Sequence, residues 1–427
     1  MKKNKNAFTL IELLAVIAIL AIILVISIPK ILDVIETSKI NTLKNTAQLI
    51  ADGAEKKYTE NEAFGEANEI TCDSVSKLNK EDYNKCTIIF DENGIAKVSI
   101  LGRGKFKGLK VIEATKTSAE VIKLEAPKYG ITAVEYINGL YEYYGEGLKI
   151  DNTPDENIRY YGSDPNNYVS FNNELWRIIG VFGNNVKLVR SEKLGNLSWD
   201  SSESSINKGW GVNEWSTSAL KNYLNTMYYD GTEVTCYGGS NNATKVCPKD
   251  SKGNFLKLDE TSKSLIDNHI WNTGAVEITT SADMLAFYKA ERGTKGKICS
   301  SGTYCNDTVT RTTEWTGYIG LPYVTDWAYA SSESVCETNM QKQDSSNAYI
   351  CKNNNWMQRS SYTWYLSPHA NGSTADGVWF VSGVGSARHN GAANSYFVAP
   401  SIYLKSNVII ESGNGSESNP YILKAGS

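Results

Sequence analysis

The stretch that most constrains this chain runs from Phe8 to Ile28, 21 residues that carry a single charge, Glu12. As a helix it rises about 31 Å, enough to cross the hydrocarbon core of a bilayer. A short basic leader with Lys2, Lys3 and Lys5 stands before it. No second long apolar run follows, and basic flanks stay on the cytoplasmic side. The expectation is a cell-membrane protein with one transmembrane helix and everything beyond about Lys30 outside the cytoplasm. A carboxylate inside such a span costs a few kcal/mol or more, so Glu12 reads as functional by default. No basic residue shares the run with it, and the next one downstream, Lys30, lies about 27 Å away along a helix. The bland alternative is that Glu12, five residues into the span, snorkels to the headgroups.

The residues around that carboxylate are specific. Ala7-Phe8-Thr9-Leu10-Ile11-Glu12 resembles the prepilin signal of type IV pilins and type II secretion pseudopilins. The resemblance implies that a prepilin peptidase cuts between Ala7 and Phe8 and that the new N-terminal Phe8 is N-methylated. The family more often carries Gly where this chain has Ala7. The cut frees an α-amine at Phe8, and an amine with a pKa near 8 is a counter-ion for Glu12 of a neighbouring subunit. Other pilin-like subunits are therefore the implied partners, in a type IV pilus or a type II secretion-like fibre. An ordinary secretory signal would want a small-residue cleavage site after the apolar run. Ile26-Ser27-Ile28-Pro29-Lys30 is a poor one.

Beyond Lys30 the pattern turns amphipathic. Ile40, Leu43, Ala47, Ile50, Ala54 and Tyr58 recur at three- and four-residue steps. The spacing predicts one helix from Phe8 to about Glu60, roughly 80 Å long. Pro29 inside it removes a hydrogen bond and is expected to kink or locally melt it, and proline at this distance from the processed end is common in pilin-like proteins. Thr87–Phe90 and Ala96–Ile100 read as strands joined by Asp91-Glu92-Asn93-Gly94, a turn signal, with Val111–Ala114 as a third. A long helix followed by a small antiparallel sheet resembles the pilin head of Gram-positive pseudopilins. Residues 150–157 are polar and turn-rich, which marks a linker.

After Tyr160 the composition changes. All ten tryptophans lie between Trp176 and Trp379. Such a partition points to a separate β-rich α+β module, residues 160–427, beyond a leader (1–7), a pilin helix (8–60) and a β head with linker (61–150). Glu174–Phe182 and Val186–Arg190 form an expected hairpin, Thr217–Met227 and Ser262–His269 expected helices, and Gly377–Val381 and Ser401–Leu404 expected strands. Asn172 to Phe182, Trp364 to Pro368 and Phe397 to Leu404 resemble an extracellular domain of Firmicute surface proteins. The general pattern is also similar to the C-type-lectin-like fold of formylglycine-generating enzymes. That activity would want a cysteine pair near the end, and no cysteine follows Cys351.

The remaining chemistry is sparse. Net charge is −4, or −7 without the three leader lysines, which gives no electrostatic footprint for nucleic acid. Arg103, Lys105, Lys107 and Lys110, with glycines between them, read as a solvated hairpin rather than a DNA-capturing patch. The eight cysteines, Cys72, Cys86, Cys236, Cys247, Cys299, Cys305, Cys336 and Cys351, fall as near neighbours and favour local disulfides outside the cell. Their spacing argues against a metal site, and no cofactor is implied. Asp151, Thr153 and Asp155 have calcium-loop spacing but lack the glycine and terminal glutamate of an EF-hand. His369 and His389 belong to no nucleophile motif, read as surface-loop polarity, and no enzyme is expected. A module rich in Trp, Tyr and Asn suits a glycan or host-surface ligand. The competing reading is a surface enzyme or glycan-binding protein that uses the pilin helix only as an anchor.

Overall fold

The computed structural model describes residues 10–65, 69–79, 81–201, 209–276, 284–293, 312–338, 346–370 and 376–426. The architecture is α+β, and the chain divides into two compact units. Unit 1 comprises residues 1–126 and 142–145; unit 2 comprises 127–141 and 146–427.

Unit 1 is a long helix on a small sheet. Helix α1 spans Leu10–Phe64 and runs unbroken through Pro29. The hydrogen bond that the proline removes therefore does not melt the helix, contrary to expectation, because the turns on either side retain their own ladders. Its C-terminal half buries Leu43, Ala47, Ile50, Ala51 and Ala54. These are one helical face, and it packs on Ala96, Val98, Ile100, Phe106, Leu109, Val111 and Ala114. They line a four-stranded antiparallel sheet in sequential order: β1 (Tyr83–Phe90), β2 (Ala96–Gly102), β3 (Leu109–Ala114) and β4 (Val121–Lys123). The β1–β2 turn needs its glycine twice over. Gly94 has φ +73°, and a Cβ there would meet the Tyr58 ring at 3.0 Å. A disulfide, Cys72–Cys86, ties a short helical turn (Cys72–Val75) to β1.

Unit 2 holds two larger sheets. In the first, the order is Ile319–Gly320, Ser401–Tyr403, β9 (Asn185–Arg190), β8 (Glu174–Phe182), β7 (Tyr168–Phe171), Tyr421–Ala425 and Val408–Ser412. The hairpin β5 (Leu148–Ile150) and β6 (Ile158–Tyr160) joins it through β8. Asn172 and Asn173, both at φ 56°, make the tight β7–β8 turn. The second sheet runs β10 (Gly195–Ser198), Ser395–Val398, Thr363–Pro368, Gly377–Val381, Ala387–Gly391. The core is aromatic: Trp176, Trp199, Trp215, Trp271, Trp327, Trp364 and Trp379 are fully buried. Buried indoles need acceptors, and Trp199, Trp271, Trp364 and Trp379 each donate to a backbone carbonyl.

Of the two expected helical stretches, the first forms in pieces over its full length and the second is cut short. Thr217–Met227 becomes a 3-10 turn, one α turn and a π-helical stretch (Tyr223–Tyr228). The helix expected over Ser262–His269 ends at Leu265 behind its Asp259 cap. His269–Asn272 is a strand instead, because it pairs with the distant Glu314–Gly317. The polar stretch 150–157 lies within unit 2, as the β5–β6 turn. Unit 2 also contains the disulfides Cys236–Cys247 and Cys336–Cys351. Cys299 and Cys305 lie outside the described residues.

Candidate functional site

The N-terminal part of α1, Leu10 to Ile35, is exposed. Apolar side chains from Leu10 to Ile35 are exposed on every face, among them Ile11, Leu14, Ile19, Ile22, Val25 and Ile28. Leucine and isoleucine all round a helix suit lipid or other apolar helices rather than water. α1 is long and apolar enough to cross a membrane, by length and composition. Glu12 sits in its first turn. Ala7 and Phe8, the processing pair, lie outside the described residues.

The basic cluster near residue 105 is occupied within unit 1. Lys105 Nζ lies 2.7 Å from Asp82 and Lys110 Nζ 2.9 Å from Glu142. Lys107 Nζ stands 4.0 Å from the centre of the Tyr144 ring.

Unit 2 carries an open groove of about 620 Å³. Tyr362, Tyr396, Ser360, Ser361, Ser395, Asn196, Lys352, Gly383 and Val384 line it. Tyr362 is 51 % exposed, and behind it the rings of Phe380 and Tyr396 pack at 5.2 and 5.3 Å. Asn390 Nδ2 donates to the Tyr396 hydroxyl at 2.7 Å, which fixes that ring. An aromatic wall beside hydroxyls, an amide and one ammonium can stack a sugar ring and hydrogen-bond its hydroxyls.

His369 is buried rather than loop polarity, whereas His389 is exposed, on a strand rather than a loop. They stack ring on ring, centroids 3.6 Å apart and planes 7° from parallel, with Trp379 against both. His369 is buried just after the strand Thr363–Pro368, and His389 lies on Ala387–Gly391, opposite Trp379 in register. Desolvation pulls the His389 imidazole below its ordinary pKa, against the opposing pull of Asp376.

The calcium-like spacing at Asp151 serves a different end. Asp151 Oδ1 accepts from Thr153 Oγ1 at 2.6 Å and from the backbone of Thr153 and Asn157. Its Oδ2 accepts from Arg159 Nε at 2.5 Å and Asn157 Nδ2 at 3.1 Å. The loop therefore turns its carboxylate inward onto an arginine rather than outward onto a cation. Arg159 continues the chain of charge: its Nη1 donates to Asp326 Oδ1 at 2.7 Å, and Lys187 Nζ donates to Asp326 Oδ2 at 2.6 Å. All four side chains are at most 1 % exposed. Burial alone would raise the Asp326 carboxyl, but Lys187 and Arg159 more than offset it and hold it below the usual range. Burial pushes the Lys187 ammonium down to about 8. Nearby, Glu291 is buried; Thr325 Oγ1 and Ser367 Oγ each donate to it at 2.7 Å, Arg292 Nη1 lies 3.7 Å away, and burial pushes its carboxyl up to about 7 against the pull of Arg292. Sequence reading missed this cluster. Its one visible signal was a lysine, the second residue of the largely apolar strand Val186–Arg190.

Residues 2–28 match the prokaryotic N-terminal methylation motif, which covers the leader and the apolar run. No curated protein and no solved structure matches the chain. The motif and the exposed apolar helix together fit a pilin-like, membrane-anchored subunit.

Proposed function

We propose that the chain is a minor pilin or pseudopilin of a type IV pilus or type II secretion-like fibre, with unit 2 displayed outside the cell as a binding module. The observation that carries this reading is the coincidence of the methylation motif with a helix half that is apolar on every face, on a chain whose other helix half packs on a sheet. A prepilin peptidase cuts between Ala7 and Phe8, and the methylated amine of Phe8 meets Glu12 of an adjacent subunit as the helices bundle. The large unit 2 suits a rare or terminal subunit, since so much chain is hard to repeat along a tight bundle. This role is structural and adhesive, not enzymatic.

Glu12→Ala tests the assembly step. The variant inserts in the membrane normally, and its content in sheared fibres falls to background. Normal fibre content would remove Glu12 from assembly, and a genome without a prepilin peptidase and assembly ATPase would remove the fibre itself. For the module, the Tyr362–Tyr396 groove is the glycan-facing surface. Full-length protein in detergent, presented to a glycan array and to cell-wall fractions, binds through it, and Tyr362→Ala abolishes the signal. Absence of binding to every glycan and wall fraction would sink the adhesive reading.

A further inference from the structure

The Lys187–Asp326 contact is unusual for an ion pair. An ammonium has three donors, yet among the described residues Lys187 Nζ has one hydrogen-bond partner, Asp326. Its other neighbours are aromatic faces: Tyr323 at 4.1 Å, Tyr403 at 5.2 Å, Trp271 at 5.3 Å and Phe182 at 5.5 Å. A fully buried charge with donors left over is costly, and burying an ion pair repays its desolvation only when every remaining proton is satisfied. The carboxylate, by contrast, is well held. Its Oδ1 takes the Arg159 guanidinium, and its Oδ2 takes the Tyr323 backbone N–H at 2.9 Å as well as the lysine.

We propose that Lys187 and Asp326 condense to an intramolecular amide, so that mature unit 2 carries a side-chain cross-link between β9 and the helix Val324–Tyr329. The step balances within the pair. The ammonium passes one proton to Oδ2 across the 2.6 Å contact. The neutral amine attacks Cγ, a second proton follows to Oδ2, and that oxygen leaves as water. The new C–N bond keeps one N–H, and no oxidant or co-reactant is needed. Arg159 on Oδ1 polarises the carbonyl, stabilises the oxyanion of the tetrahedral intermediate and stays on the amide oxygen afterwards. Charge also balances: one cation and one anion vanish together, leaving Arg159 paired with Asp151. Burial that lowers the lysine's basicity supplies the free amine. Fixed placement at hydrogen-bond distance removes the entropic barrier that a bimolecular condensation would face. The product keeps one N–H in the aromatic cage in place of the ammonium's three.

The test is the mass of the full chain, purified in detergent, reduced and denatured. It is expected to fall below the sequence mass of the processed chain by one water, and a tryptic digest yields one branched peptide joining the Lys187 and Asp326 segments, uncut at Lys187. Lys187→Arg restores the full mass. If that variant fails to accumulate, the wild-type digest decides alone. Unmodified Lys187 and Asp326 peptides from natively folded protein would overturn the proposal. A water loss that maps elsewhere, or that persists in Lys187→Arg, would do the same.

Discussion

In unit 1 the ion pairs that join α1 to its sheet region lie outside the core, whereas in unit 2 one chain of ion pairs is buried within it. Lys123–Glu36 and Lys116–Glu55 both have lysines more than half exposed, over an interior of alanine, valine, isoleucine and leucine. Arg159, Asp151, Asp326 and Lys187 have no exposure to speak of and sit among tryptophan and tyrosine rings. The difference separates two ways of specifying a fold. Unit 1 needs only an apolar face of the right period on a small sheet, so single charges there are dispensable. Unit 2 closes its two sheets around loops whose polar groups must find one another, so each member of the network depends on the rest. Mutations that remove one charge from each unit put this contrast at risk.

The largest effect is expected at Arg159. Arg159→Ala leaves Asp151 buried without its cation and strips Asp326 of a donor, at a cost of about 3–5 kcal/mol. Denaturant unfolding followed by tryptophan fluorescence reports this directly, because all ten tryptophans lie in unit 2. A cost under about 1 kcal/mol would mean that the network is ornamental and the aromatic core alone holds unit 2.

How far each unit was legible in the sequence follows the same division. Period and turn chemistry are local, and they announced α1, the β1–β2 hairpin at Asp91–Gly94 and the β8–β9 hairpin. They also marked the apolar run and its N-terminal methylation motif. Pairings across long separations were not. Asp151 looked like part of a linker because its partner Arg159 bonds onward to Asp326, 167 positions away. His269 looked helical because nothing nearby shows that Glu314–Gly317 will pair with it. The Tyr362–Tyr396 groove joins segments that have no common motif. Residue types were visible in each case; which of them meet was not.

A second, smaller effect separates the units by pH. The Glu291 carboxyl is raised from an ordinary 4.5 to about 7, chiefly by burial. Below about pH 4.5 the folded and unfolded chains both hold the proton, and the stabilisation is fully present. Between 4.5 and 7 the unfolded chain releases it while the folded one keeps it, so unit 2 loses about 3 kcal/mol as pH rises through that window. Glu291→Gln cannot ionise, and its unfolding midpoint by tryptophan fluorescence is expected to stay level where that of the wild type falls. Parallel curves for the two proteins would show that Glu291 is ionised at no cost, and its buried hydroxyl partners would then be sufficient solvation.

The smallest effect belongs to unit 1 and is the sharper control. Lys123 and Glu36 are about half exposed, so water and salt screen them at 2.6 Å as at any surface. Lys123→Ala is expected to cost about 0.2–1 kcal/mol, read by helical circular dichroism of unfolding, and the cost should vanish in molar salt. Lys116→Ala should cost slightly more, because Glu55 is only 15 % exposed and its other oxygen also accepts the Ala96 backbone N–H. Salt decides between the two explanations of any loss. A cost that survives it would have to come from the lysine's methylene packing on the apolar face rather than from its charge. In unit 2 the converse holds: water does not reach Arg159, so salt should leave its cost nearly intact.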